Sequence, residues 1–146
     1  MQNGQERKPD LLCSLEKEGF LGSFYRGDRY VDKVIIFVGG SGEPRNVVEA
    51  RAAILAREGY SVLAVGYYLW KPLSKQTVAI PLDYAERAIG WLKGNCPVKI
   101  TKIGMIGLSL GAAYTALCGF YFSQIDCAVV VSGFDFVVEG CKNMVM

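Results

Sequence analysis

The 146 residues contain no histidine. That removes imidazole, the commonest proton acceptor and metal ligand near neutral pH, from anything this chain does alone. There is also no block of like charge. Sixteen basic and fourteen acidic residues are interspersed for a net charge of +2, so neither a nucleic-acid tract nor an acidic tail is present, and no nucleic-acid partner is expected. The opening MQNGQERKPD lacks the apolar core of a secretory signal. Five cysteines (Cys13, Cys96, Cys118, Cys127 and Cys141) make an odd count with no CxxC pair. They read as reduced, mostly buried thiols of a cytoplasmic protein, with no metal site.

What is present is a globular composition, 51% hydrophobic and 21% charged, long enough for one domain with a real core. Residues 1–12 read as a loose terminus. From Ser14 to Tyr30 the pattern is mixed, with Gly19, Gly22 and Gly27 as turns, and fits one or two antiparallel strands. Lys33–Val38 is a continuous β-branched and aromatic run, as expected of a strand buried on both faces, and Gly39-Gly40-Ser41-Gly42 stops it. A helix follows, with Asn46 as its cap and Glu49 reaching back; Val48, Ala52 and Leu55 mark its apolar face and Gly59 its end. Ser61–Val65 is the next strand. A second helix spans about Leu82 to Lys93, with Ala85, Ala88, Ile89 and Leu92 at i, i+3, i+4 and i+7. Lys102–Gly107 is a third strand, Ser109 to about Phe122 a helix apolar almost all round and hence covered, and Asp126–Val131 a fourth strand.

Strand and helix alternate, which predicts right-handed βαβ crossovers on a mainly parallel sheet, an α/β fold. Ligands on such sheets bind beyond the carboxyl ends of the strands, where both the Gly39–Gly42 loop and Ser109 lie. A rival reading takes the uncharged run Ile103–Ile125, with its GxxxG, as a membrane span; the glycines that punctuate it and the strand-to-helix break at Ser109 argue against it. No membrane association is therefore expected.

Gly107-Leu108-Ser109-Leu110-Gly111 fits G-x-S-x-G, the pattern of a nucleophile elbow. In such an elbow a strained strand-to-helix turn exposes the serine hydroxyl. Gly107 and Gly111 are needed because side chains there would collide with the adjoining strand and helix. The oxyanion hole would use the N–H of Leu110 and a second N–H from Gly40 or Ser41. The competing reading is that the two glycines only permit close helix–sheet packing and Ser109 is an ordinary N-cap. The Gly39–Gly42 loop lacks a G-x-G-x-x-G or Walker lysine pattern, so no nucleotide or other cofactor is expected. Tyr67, Tyr68 and Trp70 either line an acyl pocket or form an aromatic loop folded over the core. Trp91 reads as packing. Asp135 is either a triad acid or an ordinary loop carboxylate, the latter favoured because no histidine exists for it to orient.

The blocks IIFVGGSG, EARAAILAREGYSVLAVGYY, the following PL, IPLDYAERAIGWLK and KIGMIGLSLGAA occur in order over about residues 19 to 140. This run resembles the catalytic domain shared by acyl-CoA thioesterases and bile acid-CoA:amino acid N-acyltransferases, which are α/β-hydrolases; the dienelactone hydrolases are a neighbouring group. The resemblance implies a nucleophile at Ser109, serine favouring hydrolysis where the transferases carry cysteine, and an acyl-CoA or other acyl ester as substrate of the complete form. Two departures follow. There is no room for the N-terminal β-sandwich of the eukaryotic members, and the acid and histidine that come after Ser in this fold do not occur in order before Met146. The expectation is a single incomplete α/β-hydrolase domain over 1–146, its C-terminal part missing and inactive as given. Its edge strand Asp126–Val131 would be open to homo-oligomerisation, or to a role as a non-catalytic interaction module.

Overall fold

The computed structural model describes residues 7–133. A six-stranded sheet runs in the order β1-β2-β4-β3-β5-β6. Its strands are β1 (Leu11–Cys13), β2 (Leu21–Tyr25), β3 (Tyr30–Val38), β4 (Tyr60–Gly66), β5 (Lys102–Leu108) and β6 (Cys127–Val131). β1, β2 and β4 pair antiparallel, whereas β4, β3, β5 and β6 are parallel. The helices are α1 (Arg45–Arg57), α2 (Asp83–Gly94) and α3 (Leu110–Tyr121). This is the α/β architecture expected from the alternation of patterns.

The two-residue period of the strands sorts the core onto two faces. On one, Val34, Ile36 and Val38 of β3 join Phe20, Phe24, Leu63, Met105 and the α2 residues Ala85, Ile89 and Leu92. On the other, Phe37 joins Val62, Ala64 and the α1 residues Val48, Ala52 and Ala56. Trp91 packs edge-on against Phe20 and Phe24, with ring centroids 6.3 and 5.7 Å away, which accounts for it as packing. Each large side chain buried this way contributes about 2 kcal/mol of transfer free energy.

Four expectations are corrected. Leu11 and Leu12 are not loose: with Cys13 they pair with Phe24, Ser23 and Gly22, and Asp10 secures the approach by accepting from Arg26 N–H at 2.8 Å. Asn46 does not cap α1. Pro44 occupies the N-cap position at φ −71° with no side-chain cap bond, because proline's fixed φ already suits the approach to a helix. Glu49 turns instead to Arg45, at 2.8 Å, and to the Ser23 hydroxyl, tying α1 to β2. Finally, α3 is covered only on the side that carries Gly111, Ala112, Tyr114, Thr115 and Cys118. Phe120 and Tyr121 are exposed, as is all of β6, because no further strand or helix of the described residues packs there. Ile103–Ile125 is no continuous helix but β5, a turn and α3, and no described helix is long and apolar enough to cross a membrane.

Cys13, Cys96, Cys118 and Cys127 are free thiols. Burial pushes Cys13 and Cys118 up to about 12, so neither forms thiolate near neutral pH. Cys141 and Asp135 lie outside the described residues.

Candidate active site

Parallel pairing of β3 with β5 sets Val38 opposite Gly107. The chain therefore leaves both strands at the same level, and the Gly39–Gly42 loop meets the turn at Ser109. A Cβ added at Gly40 would lie 3.3 Å from Ser109 Cβ and 3.3 Å from the Leu108 carbonyl oxygen. Two of the residues singled out from sequence, separated by 69 positions, are thus in contact.

The turn is as tight as the glycine spacing requires. A Cβ on Gly107 would stand 2.0 Å from the Gly111 carbonyl oxygen and 2.3 Å from Thr115 Oγ1. One on Gly111 would stand 2.3 Å from the Gly39 carbonyl oxygen. Ser109 itself has φ 50° and ψ −113°, a region that non-glycine residues rarely enter. Its backbone is pinned from both sides. Ser109 N–H donates to the Val131 carbonyl of β6 at 2.9 Å, and the Ser109 carbonyl accepts from Ala112 N–H at 3.0 Å. Ser109 does hold the N-cap position of α3, but its side chain makes no cap hydrogen bond, so capping does not account for the serine. Leu110 opens the helix, its N–H among the first-turn donors that intrahelical bonds leave free.

The aromatic loop is folded over the core and also touches the site. Tyr67, Tyr68 and Trp70 are all buried. Tyr67 Oη donates to the Gly39 carbonyl at 2.8 Å and Tyr68 Oη to the Gly40 carbonyl at 3.2 Å, while Tyr68 Oη accepts from Gly42 N–H at 2.7 Å. Burial, reinforced by neighbouring Tyr68, Tyr114 and Glu43, raises the Tyr67 phenol well above its ordinary value, so it stays a donor. Trp70 lies against Gly66 and under the Arg45 guanidinium, 5.0 Å from the ring centroid.

Sequence reasoning passed over Glu43. Its Oε2 accepts from Gly40 N–H at 2.9 Å and its Oε1 lies 2.6 Å from Arg51 Nη2. The only signal was its position one residue past the glycine loop, where a carboxylate can fold back on a turn amide. Of the two loop amides suggested for an oxyanion, Gly40's is therefore engaged in this structure. Among the described residues, no group of three or more histidine, cysteine or acidic side chains gathers to hold a metal.

Comparison with known proteins bears on the fold and on part of the sequence. Residues 80–145 match the family model described as BAAT / Acyl-CoA thioester hydrolase C terminal. The chain is 33% identical over 87 residues to acyl-coenzyme A thioesterase 1 of Rattus norvegicus, covering 60% of this chain and 21% of that protein. It is 32% identical over the same length to the peroxisomal succinyl-coenzyme A thioesterase of Mus musculus, again covering 21% of the relative. The chain thus spans about a fifth of the length of these curated relatives. Among solved structures it is similar to the Pyrococcus furiosus esterase Pf2001, with a TM-score of 0.62 at 20% identity, over 91% of this chain and 58% of that one. It is also similar to a putative α/β-hydrolase of Agrobacterium tumefaciens, with a TM-score of 0.64 at 16% identity, over 80% of this chain and 58% of that one. The resemblance read from the motif blocks stands: the chain has an α/β-hydrolase fold, and its residues 80–145 are similar to the BAAT and acyl-CoA thioester hydrolase C-terminal family.

Proposed function

We propose that Ser109 is the nucleophile of a serine acyl-hydrolase acting on acyl-CoA thioesters or related acyl esters. The observation that carries this reading is the backbone of Ser109, φ 50° and ψ −113°, between a buried strand and a helix N-terminus. Strain of this kind persists only where the surroundings enforce it, and it lifts the hydroxyl clear of strand and helix alike. In the reaction, Ser109 Oγ adds to the acyl carbonyl. The carbonyl oxygen becomes an oxyanion held by the Leu110 N–H and a loop N–H from Gly40 or Ser41, and α3 contributes the positive end of its dipole. Collapse breaks the C–S bond and releases CoA thiol, leaving an acyl-serine that water hydrolyses. The chain has no histidine, so the proton acceptor and its orienting acid belong to residues outside this sequence, which we read as part of a larger hydrolase domain. Acyl-CoA as substrate class rests on the relatives' names. Free, unpaired thiols support a reducing compartment such as the cytoplasm, although the relatives include mitochondrial and peroxisomal proteins.

Prolonged exposure to an alkyl fluorophosphonate, followed by peptide mass analysis, tests the assignment. The adduct is expected on Ser109 ahead of every other serine, and to vanish in Ser109→Ala. Label spread evenly over exposed serines would refute it.

A second reading, an interaction module, is favoured by a separate observation. Val129, Val130 and Val131 on the edge strand β6 are exposed together with Phe120 and Tyr121. Unpaired strand edges beside apolar surface recruit other chains. Sedimentation is expected to detect a concentration-dependent dimer; a monomer persisting at high concentration removes this reading.

A further inference from the structure

Two amides of the Gly39–Gly42 loop are already engaged by side chains from outside it. Gly42 N–H is held by Tyr68 Oη and Gly40 N–H by the Glu43 carboxylate, at 2.7 and 2.9 Å. Gly40 is also the loop residue that faces Ser109, its added Cβ falling 3.3 Å from Ser109 Cβ. A negative charge therefore rests on the amide of the loop residue that faces the serine. A carboxylate oxygen on an N–H occupies the position a developing oxyanion would take, and two anions do not share one donor. The other carboxylate oxygen is paired with Arg51 of α1 at 2.6 Å. Glu43 can therefore leave Gly40 without losing its countercharge.

We propose that Glu43 is a latch on this loop: at rest it occupies the Gly40 amide, and it must swing off before that amide can serve an oxyanion. The proposal rests on the reading of Ser109 as nucleophile and adds to it a positioning residue that throttles the site. A purely structural role makes the opposite forecast. Glu43 N–H also reaches the Gly40 carbonyl at 3.4 Å, and Gly42 takes φ 74°, so the segment is a turn that the carboxylate could simply brace. Removing a brace loosens the loop and slows chemistry, whereas removing a latch speeds it.

The wild-type chain is compared with Glu43→Gln and Glu43→Ala by two readouts. One is amide hydrogen exchange at Gly40 by NMR. The other is the second-order rate at which a fluorophosphonate labels Ser109, the Oγ–P bond forming as the P–F bond breaks, with fluoride leaving and the proton passing to solvent hydroxide. In Glu43→Ala, Gly40 exchange is expected to rise about tenfold, the size of one charged hydrogen bond, and labelling to quicken by about as much. Glu43→Gln keeps an acceptor without the charge, so it should retain most of the protection at Gly40 and still label faster than wild type. Unchanged Gly40 exchange in Glu43→Ala overturns the latch. So does slower labelling alongside a freed Gly40. If Ser109 labels in none of the three proteins, the nucleophile reading has failed, and Gly40 exchange alone decides whether Glu43 holds that amide.

Discussion

Gly107→Ala is expected to lower the stability of this chain by more than about 3 kcal/mol, the range reserved for substitutions that force backbone apart. The new methyl would meet the Gly111 carbonyl oxygen at 2.0 Å and Thr115 Oγ1 at 2.3 Å, and neither neighbour has room to retreat. The carbonyl belongs to the first turn of α3. Thr115 is fully buried, and its hydroxyl already lacks a hydrogen-bond partner. Relief would require α3 to lift off β5. That movement would unseat Gly111 from the Gly39 carbonyl and carry Ser109 away from the Gly40 loop. Urea unfolding followed by tryptophan fluorescence measures the loss, because Trp70 and Trp91 are both buried. Gly90→Ala is the matched control. It sits in α2 with nothing within 4 Å of its added Cβ, and alanine is favoured there by about 0.5–1 kcal/mol. A Gly107→Ala protein as stable as wild type would mean that the turn is looser than the structure has it.

The second large effect concerns turnover. The 146-residue chain, given a long-chain acyl-CoA, is expected to release CoA on the order of 10⁶-fold more slowly than a hydrolase with its full triad, the cost of losing the histidine base. Against a typical kcat of about 10 s⁻¹, that leaves roughly one turnover per day. Oxyanion donors and binding alone retain about 10³–10⁴ over water, so the residual rate should change little in Ser109→Ala, the base that would activate the serine being already absent. Dimerisation cannot repair the site with histidine, since a second copy brings none. Thiol release monitored with a chromogenic disulfide reports the rate. Turnover at the level of an intact enzyme would require a different base and would overturn the mechanism proposed for Ser109.

Much of this site was legible before any coordinates. Glycine at positions 107 and 111 around a serine, between a run with strand character and one with helix character, already specified a turn that only small residues permit. The order of strands and helices likewise placed the Gly39–Gly42 loop and Ser109 at equivalent strand ends. These features depend on local sterics and on two periodicities, and both are written in consecutive residues. The N-terminal residues and the start of α1 were misread for a related reason. Leu11–Cys13 owes its strand state to pairing with Gly22–Phe24, and Glu49 abandons a capping role for Ser23 on another strand. Partners that decide such cases lie elsewhere in the chain.

What the residues determined by themselves is the α/β alternation, the tight glycine-flanked turn at Ser109 and the lack of any imidazole. Only the tertiary structure decided that Tyr67 and Tyr68 grip the glycine loop by its carbonyls, that Glu43 sits on the Gly40 amide, and that one side of α3 and all of β6 stand open. The physical reason is range. Backbone strain and amphipathic period act over a few residues, whereas a hydrogen bond across 28 positions or an uncovered strand edge exists only once the whole sheet is assembled.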